Sequence, residues 1–566
     1  MTDKDMSRQD ILELFVLQYR TAVKQGWSRT DLADYLGVKH DSIRRRSLTV
    51  KHQMGISLPS LPIEKKNHGL NANKIATFEK VINETIAKSS KANETVKVIN
   101  SDESLGVGRY VITSAQNATA VHQKFLSALL NYCSENNASL KVIPYRYKNP
   151  TSIFQNKDED TWDSSIAPYL VDNTVKIAKN LVLVGSVKIQ PTAVQPLSGF
   201  EGYTGTSSAI FGHPKVQLKT VPTPSAELPK ILASTGAVTV ANYTDSKAGF
   251  KGSFHHSLAA IIVEVTEDEF HIRHIHGQND GSFYDLDTHY TETGSTSGHR
   301  IAALITGDTH AMFLNKDVEK ATYSDDDSIV KVLKPEMRVF HDINDFFSRN
   351  HHHRGDHLQN LAKHFSGTDD VEAELQIAAD LIDKYNDEDC LNVIVKSNHD
   401  EALDRWLREA DANNDPRNAR FYHYMKYNQI KNMKIESNGR FSSIDPFEFW
   451  CAAPDQQKGL DSIGNTMFLK RDQSLMVNGI ELGFHGDVGP NGARGSIQNL
   501  SKIGTKTIIG HSHSPGIYEG VYQVGTSSDL DMGYNSGPSS WLTTHAIVYP
   551  DGKRTLIHIV NGKWRA

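Results

Sequence analysis

The chain has 566 residues, 38% apolar and 23% charged, the balance of an average water-soluble protein and enough length for three or four domains. It holds no run of about 18 apolar residues that could cross a bilayer, so no membrane partner is expected. The 61 basic and 67 acidic residues leave a net charge of -6, which excludes a chain coated in positive charge, so any nucleic-acid contact must be local.

The N-terminus MTDKDMSRQD is polar and acidic and lacks the basic-then-apolar layout of a secretory leader. A cytoplasmic location is the expectation. Cys133, Cys390 and Cys451 stand far apart with no CxxC pair, which argues against a disulfide framework or a zinc ribbon. The 26 histidines are clustered, and neutral imidazole is the commonest side chain for holding transition metals.

In chain order, residues 1–50 read as a helical unit. Ile11, Leu14, Phe15 and Leu17 mark a first helix, and Ser28 with Asp31 is a capping-box variant opening a second, whose apolar face is Leu32, Ala33 and Leu36. Gly37 ends it. A third helix from near Asp41 would carry Arg44, Arg45 and Arg46 toward phosphates, and this layout resembles the helix-turn-helix DNA-binding family. The alternative is a solvated helix end, since residues 1–50 hold nine Lys/Arg against seven Asp/Glu.

Residues 51–106 read as a polar linker with one amphipathic helix at Ile75, Phe78, Val81, Ile82 and Ile86. From 107 to 299 a central α/β domain of unknown role is expected, with β-rich segments LVLVGSVKI, AVTVANYT, LAAIIVEV and FHIRHIHG. Self-association through this domain is one expectation for it. His255, His256, His271, His274 and His276 within it fit structural roles better than ligation.

Residues 300–566 carry the chemistry. Five short motifs occur in order, four of them after apolar strand-type runs: Gly307-Asp308-Thr309-His310, His341-Asp342-Ile343-Asn344-Asp345, Ser397-Asn398-His399-Asp400-Glu401, Gly483-Phe484-His485-Gly486-Asp487 and Gly510-His511-Ser512-His513. Asp-x-His and His-x-His put two ligands on one side of an extended chain. Mixed carboxylate and imidazole ligation suits manganese, iron or zinc better than magnesium or calcium.

The order D-x-H, D-x-x-D, N-H-D, H, G-H-x-H resembles the calcineurin-like metallophosphoesterase superfamily over roughly residues 300–515. The resemblance implies an α/β (α+β) fold, a β-sandwich flanked by helices, and two divalent metal ions, manganese first, with iron, zinc or magnesium as alternatives. It implies that Asp308, His310 and His513 hold one metal, Asn398, His485 and His511 the other, and Asp342 bridges them. His399 would be the catalytic imidazole, oriented by Asp400. Two such cations, about 3.5–4 Å apart, acidify water and neutralise phosphoryl oxygens. The sequence departs from the family at His341 and Ser397, where glycine is usual.

Substrate groups are suggested by His351, His352, His353 and Arg354 after the second motif, which either hold a phosphate or form a buried network supporting Asp342. Arg494 in GPNGARGS is a further candidate, with a plain Gly-rich turn as its alternative. FKGSFHHSLAAIIVEV, GSFYDLD, HHHRGD, GPNGARGS and GHSHSPGIYEGVYQVGT together resemble the pre-early DNA-degradation and DNA-transfer proteins of large tailed phages. That resemblance implies a metal-dependent DNase acting on host DNA in the host cytoplasm. The alternatives are a phosphatase or small-molecule phosphodiesterase, and a DNA-binding regulator whose metal site is structural.

Overall fold

The computed structural model describes residues 8–54, 58–61, 73–83, 104–147, 161–224, 227–452, 464–532 and 536–566. The chain divides into two units, 1–99 and 100–566. No helix among the described residues is long and apolar enough to cross a membrane.

In the first unit, helices Arg8–Lys24, Arg29–Tyr35 and His40–Met54 enclose Phe15, Val16, Tyr19, Ala22, Leu32, Ala33 and Ile43. Ile11 is exposed, because the buried stripe runs one position later than the expected one. The capping box forms as expected, with the Ser28 hydroxyl accepting from Asp31 N and the Asp31 carboxylate accepting from Ser28 N. Gly37 turns the chain at φ +62°, a left-handed conformation that glycine adopts without a Cβ penalty. Arg44, Arg45 and Arg46 are exposed on the third helix.

The amphipathic helix forms over 73–83 and belongs to this unit. Phe78 and Ile82 enter the same core, and Phe78 stacks on Trp27 with ring centroids 4.1 Å apart. The remainder of the expected linker lies largely outside the described residues.

The second unit is mixed α/β. Its largest sheet has ten strands, ordered Met476–Val477, Ile480–Glu481, Thr507–Ile509, Val521–Gln523, Gly516–Tyr518, Gln217–Val221, Lys230–Ser234, Ser208–Phe211, Leu181–Val184 and Thr174–Ala178. A six-stranded sheet runs Thr466–Phe468, Leu391–Ile394, Met337–Phe340, Ala303–Ile305, Thr544–Val548, Arg554–His558, and a four-stranded sheet runs Ala138–Tyr145, Gly108–Gln116, Ala259–Val265, Phe270–His276. The edge strands Arg554–His558 and Phe270–His276 lie side by side. Ile112, Ile261 and Val263 of the four-stranded sheet and Ile305, Val339 and Val548 of the six-stranded sheet pack with Leu183, Ile210, Ile508 and Tyr522 of the ten-stranded one. This common core makes the sheets two packed layers.

Helices cover the outer faces. Gln123–Glu135 buries Phe125, Leu129 and Tyr132 on the four-stranded sheet. Helices Val371–Lys384, Asp400–Glu409, Ala419–Lys431 and Pro446–Ala452 form a second cluster around Phe340 and Ile394. Of the expected strand segments, AVTVANYT forms no strand. It contributes only isolated bridges at Ala237 and Thr239, where the chain crosses strand ends. The expected boundary at 299/300 does not separate two bodies, because the ten-stranded sheet takes strands from both sides of it.

Phe78→Ala deletes a fully buried ring together with its stack on Trp27. A loss of about 3–5 kcal/mol is typical of such a deletion. The helical unit should then melt in its own, lower transition by far-ultraviolet circular dichroism, while the β-rich unit keeps its transition.

Candidate metal centre

Strands Ala303–Ile305, Met337–Phe340 and Leu391–Ile394 are parallel neighbours, so the loops after them leave one edge of the layer together. Parallel pairs in the facing sheet do the same for the loops after Ile480–Glu481 and Thr507–Ile509. Backbone bonds then fasten the loops to one another. Thr309 N and His310 N donate to His341 O and Asp342 O at 2.9 and 2.7 Å, and Gly510 N donates to His485 O at 2.7 Å.

Asp308, His310, Asp342 and His513 are buried, and one ligand atom from each lies within 4.8 Å of all the others. His513 Nε2 stands 3.2 Å from Asp308 Oδ2, and the Nε2 atoms of His310 and His513 are 3.0 Å apart. His485 Nε2 reaches Asp342 Oδ2 at 3.1 Å. The His511 ring packs edge-on to His485 at 5.3 Å. Asp308 Oδ1, Asp342 Oδ1 and Asn398 Oδ1 are buried without a hydrogen-bond donor. Burying acceptors in this state is costly unless a cation or donor meets them, and oxygen with imidazole nitrogen is a donor set that fits a divalent transition ion.

The electrostatics report the same demand for positive charge. Burial pushes the Asp342 carboxyl up, but the neighbouring imidazoles of His485, His399 and His310 hold it well below the usual carboxylate range. Burial disfavours the charged form of His310 and His485 as well, yet Asp345 raises the first to about 9 and Asp342 the second to about 9.

Backbone strain concentrates here. His310, Asp342, His511 and His513 have φ of 42°, 44°, 74° and 56°, left-handed values that cost a non-glycine residue roughly 1–3 kcal/mol each. At Gly510 the constraint is space, since a Cβ would sit 2.1 Å from Asp308 Oδ1.

His399 is part-exposed, its ring 5.0 Å from that of His310. Its partner differs from the expected one. Asp400 is turned away, its Oδ2 accepting from Ser397 N and Oγ at the start of helix Asp400–Glu409. A helix N-terminus places that carboxylate over its own first turn. His399 instead donates through Nδ1 to Asp345 O at 2.7 Å, with Asp345 Oδ1 at 3.7 Å. Asp345 also meets His310 Nδ1 at 2.9 Å, so one residue orients two imidazoles, His310 through its carboxylate and His399 through its backbone carbonyl.

Two more residues of the site were given no role from sequence. His341 places Nδ1 3.4 Å from His485 Nδ1. Glu374, pushed up to about 7 by burial, accepts from Phe347 N and Ser348 N and fixes the loop after Asp345. His341 adjoins a motif; Glu374 lies on a distant helix with no local signal.

The triple histidine forms a short 3-10 turn, His351–His353, with His351, His352 and Arg354 exposed. This exposure excludes the buried-network alternative for those three. His353 is half-buried against Phe347. His351 lies within the electrostatic reach of His399 and Arg405. Arg494 is exposed beside the short turn Pro490–Gly492. Three of the upstream histidines are structural: His274 bonds Ser234 O, His276 bonds the Tyr522 hydroxyl, and His256 bonds Tyr243 and Thr239.

No family model and no solved structure matches the chain. Among curated proteins, Protein A1 of Escherichia phage T5 is 36% identical over 472 residues, spanning 81% of this chain and 83% of that protein.

Gly510→Ala should drive a methyl into the Asp308 carboxylate. Bound manganese, measured by elemental analysis after loading and desalting, should fall several-fold with little change in far-ultraviolet circular dichroism.

Proposed function

The chain belongs to the family of Protein A1 of Escherichia phage T5, and on that premise we propose that it is a metal-dependent phosphodiesterase of the calcineurin-like type that cleaves DNA. The observation that carries the reading is the buried set Asp308, His310, Asp342 and His513, which converge with Asp308 Oδ1 and Asp342 Oδ1 left without a hydrogen-bond donor. His485, whose Nε2 lies 3.1 Å from Asp342 Oδ2, His511, whose ring packs on His485, and Asn398, with its unsatisfied Oδ1, would extend the set as further ligands. Divalent cations held there supply positive charge for phosphoryl oxygens and lower the pKa of water.

The protein's own groups do the rest. His399 is the part-exposed imidazole beside the cluster, and its Nδ1 proton is held by Asp345 O. Nε2 is then the nitrogen free to meet a leaving oxygen. Exposed His351, within electrostatic reach of His399, and its exposed neighbours His352 and Arg354 would supply hydrogen bonds and charge to a phosphodiester backbone. A purely structural metal site is closed by its ligands, whereas this one has half-exposed His399 and His511 at its rim.

DNA as substrate is supported by the helical unit. Arg44, Arg45 and Arg46 project from a helix that follows a capped helix and a glycine turn, the arrangement that presents a recognition helix to a groove. Net acidity elsewhere confines the contact to such patches.

Purified protein with manganese should degrade duplex DNA, and Asp342→Ala and His399→Ala should each lower the rate by at least 100-fold, the scale of a lost general acid or base. Unchanged rates in both variants refute the reading. Turnover of small aryl phosphodiesters with DNA left intact reassigns the chain to the phosphatases.

Arg44→Ala/Arg45→Ala should weaken DNA binding in low salt. The slope of log K against log salt should become shallower by about 2, near 0.9 for each lost phosphate contact.

A further inference from the structure

The second unit repeats itself. Nine strands from Gly108 to His276 have counterparts in the same order from Ala303 to His558, and each neighbouring pair keeps its sense. Gly108–Gln116 is parallel to Ala138–Tyr145 and antiparallel to Ala259–Val265, as Ala303–Ile305 is to Met337–Phe340 and Thr544–Val548. In the ten-stranded sheet the two sets of five run outward from the middle as mirror-ordered halves, with matching parallel and antiparallel pairs throughout. Strands Leu391–Ile394 and Thr466–Phe468, with the helices between them, have no counterpart among the described residues.

Register makes the correspondence residue by residue. Phe211-Gly212-His213-Pro214-Lys215 matches Ile509-Gly510-His511-Ser512-His513. Phe211 pairs with Ser234 and Ile509 with Gln523, so Gly236 matches Gly525 and Ala237 matches Thr526. The bridges Ala237 to Leu258 and Thr526 to Thr543 carry the match to Ile261 and Ala546. Their partners Ile112 and Ile305 then align Ala115 with Asp308 and Asn117 with His310. Ile112 pairs with Lys141 and Ile305 with Val339, which aligns Pro144 with Asp342. Through Val182 and Glu481, Ser186 aligns with His485. The two halves meet where Ile517 pairs with Leu218, residues that are counterparts of each other, as a local two-fold axis requires.

The matched positions differ in one chemical respect. In the later half the candidate ligands are left with unsatisfied oxygens. In the earlier half the acidic ligands have become Ala115 and Pro144, and the surviving polar groups are satisfied within the protein. Asn117 Oδ1 accepts from Tyr147 N, and Ser186 Oγ bonds Thr174. His213 Nδ1 accepts from Lys215 N, and Nε2 meets Gln190 O. Lys188 Nζ donates to Pro144 O, placing an ammonium against the backbone that matches Asp342. Lys215, the counterpart of His513, reaches across the seam to Glu519 of the later half at 2.9 Å.

We propose that residues 108–276 are a second copy of the catalytic fold, emptied of metal ligands and retained as a built-in partner that closes the sheet edge of the half that keeps them. The edge strand Gly516–Tyr518 would otherwise present an unpaired backbone ladder. The former ligand position at Lys215 has become a clamp between the halves. The asymmetry in metal binding rests on the metal-centre reading above; the pairing of the halves does not.

Two measurements on the full chain test this. After manganese loading and desalting, His511→Gln should lose half or more of the bound metal, while His213→Gln keeps the wild-type content. Equal losses overturn the silent copy and leave the metal centre standing, whereas wild type without manganese overturns the metal-centre reading. Thermal unfolding of Lys215→Glu, Glu519→Lys and the double swap reads the seam without metal. Each single change should lower Tm, and the swap should recover most of the loss. A swap as unstable as the two losses combined overturns the clamp.

Discussion

Two aspartates and two histidines, buried with ligand atoms within 4.8 Å of one another, set the terms for everything around them. Like charges at that separation repel strongly where the dielectric is low, and the cluster persists only because the fold holds it and positive charge compensates it. The surrounding structure is organised to do both. Loops leave parallel strand ends, bond to one another through their backbones, and accept left-handed conformations at His310, Asp342, His511 and His513. Gly510 is required because the Asp308 carboxylate occupies the space where a side chain would begin.

Behind that cluster stands a chain of buried support. Asp345 touches both His310 and His399, and Glu374 receives the two backbone amides just beyond it. Lys363 donates to Phe347 O and lies over its ring at 4.3 Å, closing the same loop from the other side. The His399 imidazole is thereby held in place on two sides, while part of its ring stays exposed.

The same constraint, inverted, explains the earlier half of the β-rich unit. Once Asp308 and Asp342 are represented by Ala115 and Pro144, no charge cluster demands a cation, and hydrogen bonds within the protein satisfy what remains. What that half keeps is shape: strand order, register and an edge that completes a ten-stranded sheet. The later half thus gains a covered edge without a second chain.

Much of the site was legible because its residues lie in short motifs after apolar runs, and each motif needs only local periodicity to be recognised. The helical N-terminal unit, its capping box and the packing role of Phe78 were legible for the same reason. The orienting residue of His399 was not: Asp400 is its neighbour in sequence, but the first turn of a helix directs Asp400 to Ser397, and Asp345 arrives from another strand. The boundary near residue 300 failed likewise, since strand pairing across it joins segments about 300 residues apart, such as Leu218 and Ile517. The sequence by itself determined which donor atoms exist and that they follow apolar strand-type runs, because such runs are a local property, whereas the left-handed turns at His310, His511 and His513 replace the extended chain that alternation predicts. Only the tertiary structure decided which carboxylate faces which imidazole, and that one half gathers a buried Asp/His cluster while the matching positions of the other are satisfied by hydrogen bonds, because hydrogen-bond register between distant strands is fixed by the packed core and not by neighbouring residues.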